Sequence, residues 1–178
     1  MIIQGCINNN RLSQEKLYMQ FYPALFALCR RFFDDEQEIV SALNNGMLRV
    51  FKNISQYDET KSELLTWAYA IVRNEALTLI RNKQSGVATQ ELMADMQVEI
   101  MNNPFIQTKE QDVHIYLSAL TSTTRAVCTL FYIEGYSIKE IAKSLDMKEG
   151  TTKWHLSDGR KKLQSTFNPN GQHTAKAK

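Results

Sequence analysis

The stretch SIKEIAKSLDMKEGTTKWHLSDGRKKL, residues 137–163, decides the fold of this chain. Ser137 stands as a helix N-cap three residues before Glu140, the spacing of a capping box, and apolar residues follow at helical intervals. A short polar break then leads into a second helix that is rich in basic residues. Small Ala142 lies where two such helices must cross closely, and Asp146 tolerates a left-handed backbone at the turn. The pattern predicts a helix-turn-helix.

The second of these helices carries residues suited to DNA. In a helix-turn-helix, the N-terminal end of that helix reaches base edges in the major groove, and cations further along contact phosphates. The residues predicted to contact DNA are therefore Thr151, Thr152, Lys153, His155, Arg160, Lys161 and Lys162. We expect Trp154 to pack against neighbouring helices. His155 has no partner at metal-ligand spacing, so no metal role is predicted for it.

The front half of the chain shows the periodicity of three helices. Apolar residues recur every three or four positions over 14–33, 35–53 and about 65–81, and Pro23 is expected to bend the first helix. Acidic residues at 34–36 precede the second helix, where they complement a helix N-terminus. The chain is therefore predicted to be all-α, with a second helical unit ahead of the helix-turn-helix.

The third front helix has an unusual polar face. Trp67, Asn74, Thr78 and Arg81 share the side opposite its apolar stripe. An aromatic, an amide, a hydroxyl and a guanidinium on one face suit base stacking and phosphate binding. Core packing is an alternative role for Trp67.

Composition supports a globular helical protein. The 178 residues include 21 Lys+Arg and 19 Asp+Glu, and 43% are hydrophobic, with only 7 Gly and 3 Pro. The charge is uneven, because residues 84–112 carry a net −4 and residues 113–178 a net +5. A basic back half indicates a polyanionic partner, and the acidic segment is expected to lie off the DNA. The three cysteines, odd in number and widely spaced, are predicted to be reduced core thiols.

These patterns give an organisation of two small helical domains. The predicted parts are a front domain at 13–83, an acidic linker at 84–107 with a partly helical piece at 90–101, a helix-turn-helix domain at 108–166 and a disordered tail at 167–178. Since no long apolar span or signal-like N-terminus occurs, we expect a soluble, cytoplasmic protein. The sequence has no phosphate-binding Gly loop, nucleophile elbow or metal cluster, so it predicts neither an enzyme nor a cofactor.

The order of motifs resembles the sigma-70-like sigma factors of the extracytoplasmic-function (ECF) group, over about residues 13–165. The matching back-half segments are Leu120 with 125–127, then 131–145, 149–153 and 160–163. The matching front-half segments are 22–26, 47–51, the loop through Tyr57 and Asp58, 67–74 and 80–81. Two such matches in the family's order are more specific than either alone.

The resemblance implies roles for particular residues. The front domain would bind the polymerase clamp coiled coil through Asn44, Asn45, Met47, Leu48 and Arg49. It would engage the melted minus-ten element through Tyr57, Asp58, Lys61, Trp67, Arg73, Asn74 and Arg81. The back domain would contact the polymerase flap and read the minus-thirty-five element as duplex. The resemblance also implies an anti-sigma partner and a monomeric free state.

Departures from the family pattern lie in both functional helices. The clamp-binding helix carries Ser41, Asn44 and Asn45 where family members usually have acidic residues, and the last helix has Trp154, His155 and Asp158 where many have Ser, Arg and Arg. An unusual promoter preference is therefore expected. Two other classes stay open at this point, a freestanding helix-turn-helix regulator and an all-α interaction protein that never touches nucleic acid.

Overall fold

The computed structural model describes residues 2–86 and 110–167, and within these ranges it is helical without strands. We call residues 2–86 the front module and residues 110–167 the back module. The front-module helices are α1 (Ile2–Ile7), α2 (Arg11–Arg30), α3 (Glu36–Asn53) and α4 (Leu64–Ser85). The back-module helices are α5 (Glu110–Ser118), α6 (Ser122–Cys128), α7 (Ile138–Ser144) and α8 (Glu149–Phe167).

The all-α prediction is confirmed, with differences at the helix ends. Helix α1 was not predicted, because the N-terminal stretch has no extended periodicity; it is six residues long and buries Cys6. Helix α2 begins after Asn10, whose side chain accepts a hydrogen bond from the Ser13 amide, and it continues through Pro23. The predicted linker helix at 90–101 and the tail beyond 167 lie outside the described residues.

The front module is built on the close packing of α3 against α4. Asp35 caps α3 by accepting a hydrogen bond from the Glu38 amide. Gly46 of α3 lies so near α4 that a Cβ there would come within 2.9 Å of the Val72 Cα. A glycine at this position therefore lets two helix backbones approach more closely than any side chain would permit.

The back module forms the predicted helix-turn-helix. Ser137 and Glu140 make both hydrogen bonds of the capping box at the start of α7, and Asp146 adopts the left-handed conformation at φ +50°. Helix α6 continues through a π-helical turn at Thr129–Ile133, and Gly135 then reverses the chain at φ +76°. The predicted capping box and the predicted left-handed Asp146 are therefore confirmed.

The two modules pack against each other. The buried side chains of both form one continuous core, and the contact runs from α4 and the end of α2 to α6 and its π-helical turn. The Thr129 hydroxyl donates to the Arg31 carbonyl at 3.1 Å, and the Gln84 amide donates to the Thr123 hydroxyl at 2.9 Å. All three cysteines are free and buried, as predicted.

Candidate nucleic-acid interface

Helix α8 has one buried side and one exposed side. Thr152, Leu156 and Gly159 face the module interior. A Cβ on Gly159 would lie 2.4 Å from the Cys128 Sγ, so glycine allows α8 to pack directly on α6. The residues of the opposite side are exposed: Thr151, Lys153, Trp154, Ser157, Arg160 and Lys161. This outward face carries three cations and one indole ring.

Trp154 does not pack as the sequence led us to expect. Its side chain is 61% exposed, and its ring lies edge-on to the neighbouring His155 ring, at 4.9 Å between centroids. Gly150 precedes it by one turn, and no atom lies within 4 Å of a Cβ built there. The prediction that Trp154 packs against other helices is wrong, because the stripe that anchors α8 passes on its other side.

Two predicted DNA contacts of α8 lie on or near the inner side. The Thr152 side chain is fully buried and its hydroxyl donates to the Lys148 carbonyl at 3.3 Å, so a DNA contact is unavailable to it in this conformation. His155 is half-buried, and its Nδ1 lies 2.9 Å from the Thr124 hydroxyl on α6. Burial lowers the pKa of His155, with Asp158 opposing the shift. The imidazole is therefore neutral at physiological pH and ties α8 to α6.

The basic residues near the middle of α8 differ in their partners. Arg160 donates from Nε and Nη2 to the Tyr132 hydroxyl, at 3.3 Å and 3.2 Å. Lys162 pairs with Asp158 one turn earlier at 2.8 Å. Lys153 and Lys161 are exposed. The hydrogen bond to the Tyr132 hydroxyl raises the pKa of the Arg160 guanidinium, so Arg160 keeps its positive charge.

In the front module, the loop before α4 is closed by its own polar groups. Tyr57 donates its hydroxyl to the Ser62 carbonyl at 2.9 Å, and its ring lies 5.5 Å from the Trp67 ring. Asp58 accepts hydrogen bonds from the Thr60 hydroxyl and amide, which lower the pKa of its carboxyl. Lys61 lies 3.5 Å from Asp58. The loop is a structured turn that exposes charged side chains.

The α4 residues predicted for the minus-ten element fall into two groups. Asn74 and Arg81 are half-exposed, and Arg81 donates to the Thr78 hydroxyl at 3.0 Å. Trp67 is only 7% exposed and Arg73 only 3%. The structure thus places Trp67 in the core, the alternative role considered for it, and places Arg73 under the back module.

The residues predicted to bind polymerase lie on α3. Asn44 and Leu48 are exposed on one side of this helix, and Leu48 keeps 49% of its surface open to solvent. The Tyr18 hydroxyl donates to the Asn44 side-chain carbonyl at 2.8 Å. Arg49 pairs with Glu75 of α4 at 2.6 Å. The remaining two are Asn45, which is half-buried, and Met47, which belongs to the core.

The sequence interpretation missed a buried polar cluster between the modules. Glu134 of the back module accepts hydrogen bonds from Tyr69, Arg31 and Arg73 of the front module. One clue was available, because Arg30 and Arg31 interrupt the apolar run from Leu28 to Phe33, and a helix face can leave only one of two adjacent charges in solvent. A charge within such a run points to a buried partner. That partner, Glu134, lies 103 residues away in the sequence, so no local pattern identifies it.

Residues 2–86 and 110–167 contain neither a metal-binding cluster nor a membrane-spanning helix. No group of three or more His, Cys, Asp or Glu side chains there has the arrangement to hold a metal ion. Over the same residues, no helix has the length and apolar character needed to cross a membrane.

Each of the two modules matches a known protein family. The family profile "Sigma-70 region 2" matches residues 17–86, and "Sigma-70, region 4" matches residues 111–163, which together cover most of the chain. The ECF RNA polymerase sigma factor SigX of Bacillus subtilis (strain 168) is 25% identical over 83% of this chain and 80% of its own length.

A mycobacterial relative and a solved structure extend the comparison. SigE of Mycolicibacterium smegmatis (strain ATCC 700084 / mc(2)155), also an ECF RNA polymerase sigma factor, is 24% identical over 93% of this chain, which spans 65% of that relative. The sigma factor RpoE of Bartonella quintana, solved with the anti-sigma factor NepR, is 19% identical over 88% of this chain and 98% of its own, with a TM-score of 0.49. With region 2 and region 4 matched in order, the chain belongs to the sigma-70 family of sigma factors and is of the ECF type.

Proposed function

We propose that this ECF-type sigma factor binds core RNA polymerase and directs promoter recognition and opening through two separate DNA-binding surfaces. The observation that carries the proposal is the outward face of α8. It presents Lys153, Arg160 and Lys161 on a helix-turn-helix whose opposite side is fully committed to packing. A cationic helix held in this way is suited to the major groove of a duplex.

Within that surface we assign two roles. Thr151, Lys153 and Trp154 lie in the first two turns of α8 and would reach base edges of the minus-thirty-five element. Arg160 and Lys161 would contact phosphates and fix the register of the helix. Thr152 and His155 hold α8 against the rest of the module, so they act as positioning residues. Lys162 is partly engaged by Asp158 and would contribute less.

The front module would meet the polymerase clamp and the opened minus-ten strand. Tyr57, Asp58, Lys61, Asn74 and Arg81 are the accessible or half-accessible members of the predicted strand-binding set. Trp67 would support the loop from below by its contact with Tyr57. The exposed or half-exposed side chains of α3 proposed to face the clamp are Asn44, Asn45, Leu48 and Arg49, and Met47 would support them from the core.

Further aspects of the proposal follow from the family resemblance. The protein would act in the cytoplasm as a monomer until it joins polymerase, without catalytic activity of its own. An anti-sigma factor would bind it and cover its polymerase-binding surfaces. The domain limits would be 13–83 and 108–166, joined by the acidic linker and followed by the tail.

The test is binding of labelled protein to core RNA polymerase from its source bacterium, measured by fluorescence anisotropy with DNA absent. We expect saturable binding that weakens at least tenfold in Leu48→Glu, because a carboxylate would be placed in an apolar contact. Leu12→Glu is the matched control, since Leu12 is also an exposed leucine, on α2. Specific binding to duplex DNA without polymerase, and none to polymerase, would instead establish a freestanding regulator.

A further inference from the structure

A cluster of four side chains joins the modules at Glu134. The Tyr69 hydroxyl donates to Glu134 Oε1 at 2.8 Å, and Arg31 Nη1 lies 3.4 Å from the same oxygen. Arg73 Nη1 approaches Oε2 at 3.4 Å, and the Arg73 guanidinium lies 5.1 Å from the centre of the Tyr136 ring. The Glu134 side chain has no solvent exposure. One carboxylate of the back module is thus enclosed by two arginines and a tyrosine hydroxyl of the front module.

A second polar contact lies further along the same interface. Asp34, at the end of the α2–α3 connection, pairs with Arg125 of α6, whose Nε also donates to the Leu117 carbonyl at 2.9 Å. His114 Nε2 lies 3.7 Å from the other Asp34 oxygen. Opposite charges therefore face each other across the interface at two places, with the front module supplying the cations at one and the anion at the other.

This closed arrangement is incompatible with simultaneous contact to both promoter elements. Arg73 touches Glu134, and Tyr132, two residues earlier, bonds to Arg160 of α8. Adding the Glu134 and Tyr132 side-chain lengths and about 3.8 Å per residue places the guanidinium groups of Arg73 and Arg160 at most about 25 Å apart. The minus-ten and minus-thirty-five elements are about 25 base pairs apart, which is about 85 Å of duplex.

The cluster also has a feature expected of a contact that opens. The buried Arg73 Nε has no hydrogen-bond acceptor among the described residues. A buried donor left unpaired opposes burial, and exposure to water on opening would remove that cost. The cluster can therefore hold the modules together without making their separation prohibitive.

We infer that Glu134 is a latch that holds the chain closed by occupying the Arg31, Tyr69 and Arg73 site of the front module, and that this latch must open before the protein spans a promoter. The existence of the latch is inferred from the geometry of the cluster. Its effect on promoter binding rests on the proposed function. Opening frees Arg73 on α4, beside Asn74, to meet an anionic ligand such as the backbone of the opened strand.

The test measures the distance between the modules by pulsed electron paramagnetic resonance. Spin labels are placed on Lys52→Cys in α3 and Ser165→Cys in α8, both exposed sites, while the three native thiols are buried. We expect one short distance for the full-length chain and a longer, broader distribution in Glu134→Gln. Glu15→Gln, the same change at an exposed position of α2, should keep the short distance.

A double-mutant cycle attributes the change to the cluster. Arg73→Gln should widen the distance on its own, and adding it to Glu134→Gln should widen it no further, because each removes the same contact. Circular dichroism verifies that each variant is folded. A short distance in folded Glu134→Gln, or a broad distribution already in the unmodified chain, would overturn the latch.

Polymerase binding separates this inference from the proposed function. A latch reduces apparent affinity by the fraction of molecules that are open, so Glu134→Gln should bind core polymerase about 100-fold more tightly if the open state is populated to roughly 1%. Unchanged affinity would overturn the regulatory consequence of the latch. A different result is that neither the unmodified chain nor Glu134→Gln binds polymerase, while the distance between the spin labels still increases in the variant. That result would contradict the proposed function and leave the latch supported.

Discussion

Two helices of this protein carry residues predicted to meet DNA, and the structure treats them in opposite ways. Helix α8 keeps Lys153, Trp154 and Lys161 exposed. Helix α4 encloses Arg73 beneath Glu134 and buries Trp67 in the front-module core. Both helices combine arginine, an aromatic ring and hydroxyls in the sequence. The residue types on a helical face therefore indicate which kind of ligand the face suits. Tertiary packing decides whether the face is exposed to bind that ligand.

Because α8 is exposed and part of α4 is covered, the two helices would meet DNA at different stages. The outward face of α8, which we propose to bind duplex DNA, is accessible while the modules are closed, but part of α4 is not. A chain in this conformation would be able to engage the minus-thirty-five element before the covered part of α4 meets a single strand. Five predictions test the contrast between the enclosed and the exposed face.

The largest expected effect is on stability when an enclosed arginine is removed. Arg73→Ala should lower the free energy of unfolding by about 3 kcal/mol, because it takes one cation from a buried ion cluster. Lys153→Ala on exposed α8 should change it by less than about 0.5 kcal/mol. Urea denaturation followed by circular dichroism measures both. Equal stability of the two variants would show that Arg73 is not enclosed in solution.

A pair of glycines tests the two sides of α8 within one helix. Gly159→Ala should destabilise the protein by about 2 kcal/mol, since its Cβ would collide with Cys128 and force α8 off α6. Gly150→Ala meets open space and should stabilise the helix by about 0.5 kcal/mol. Thermal unfolding of both variants is the measurement. A loss in Gly150→Ala comparable to that in Gly159→Ala would contradict the assignment of the sides.

Trp154 tests whether the exposed face is used. Trp154→Ala should leave stability within about 0.5 kcal/mol of the unmodified protein, because the ring buries little surface. It should weaken promoter binding by the polymerase holoenzyme by roughly fivefold, or about 1 kcal/mol, through loss of an apolar base contact. Ile115→Ala, an equally exposed apolar residue on α5, is the control. Unchanged promoter binding would return Trp154 to a passive surface role.

The contribution of phosphate contacts is visible in the salt dependence of the same binding. Lys161→Ala should weaken binding to all sequences alike and reduce the slope of log affinity against log salt by about 0.9. An unaltered slope would show that Lys161 does not contact a phosphate.

The smallest effect is a pH dependence of stability. Burial lowers the pKa of His155 below its ordinary 6.5, so the unfolded chain takes up a proton more readily than the folded one. Stability from this residue is therefore present above that value and is lost as the pH falls through it. The Tm should fall between about pH 7.5 and about pH 5.5, and His155→Gln should reduce that fall. An identical pH profile in the variant would show that His155 is not buried against α6.

How much could be predicted from the sequence depends on the range of the interaction. The Ser137–Glu140 capping box and the left-handed Asp146 involve neighbouring residues, and both were predicted correctly. The packing direction of Trp154 was predicted wrongly, because the inward stripe of α8 is set by contacts with α6. Helix α1 escaped prediction because six residues are too few for a periodic pattern.

The sequence by itself determined the helices, the helix-turn-helix, the family and the concentration of cations in the back half, since these follow from local periodicity, capping and composition. Only the tertiary structure decided which of those cations face solvent. Arg73 and Glu134 are 61 residues apart, and nothing local to either specifies that they meet. Their pairing depends on how two modules dock, which is a balance of long-range packing and desolvation that no short stretch of sequence encodes.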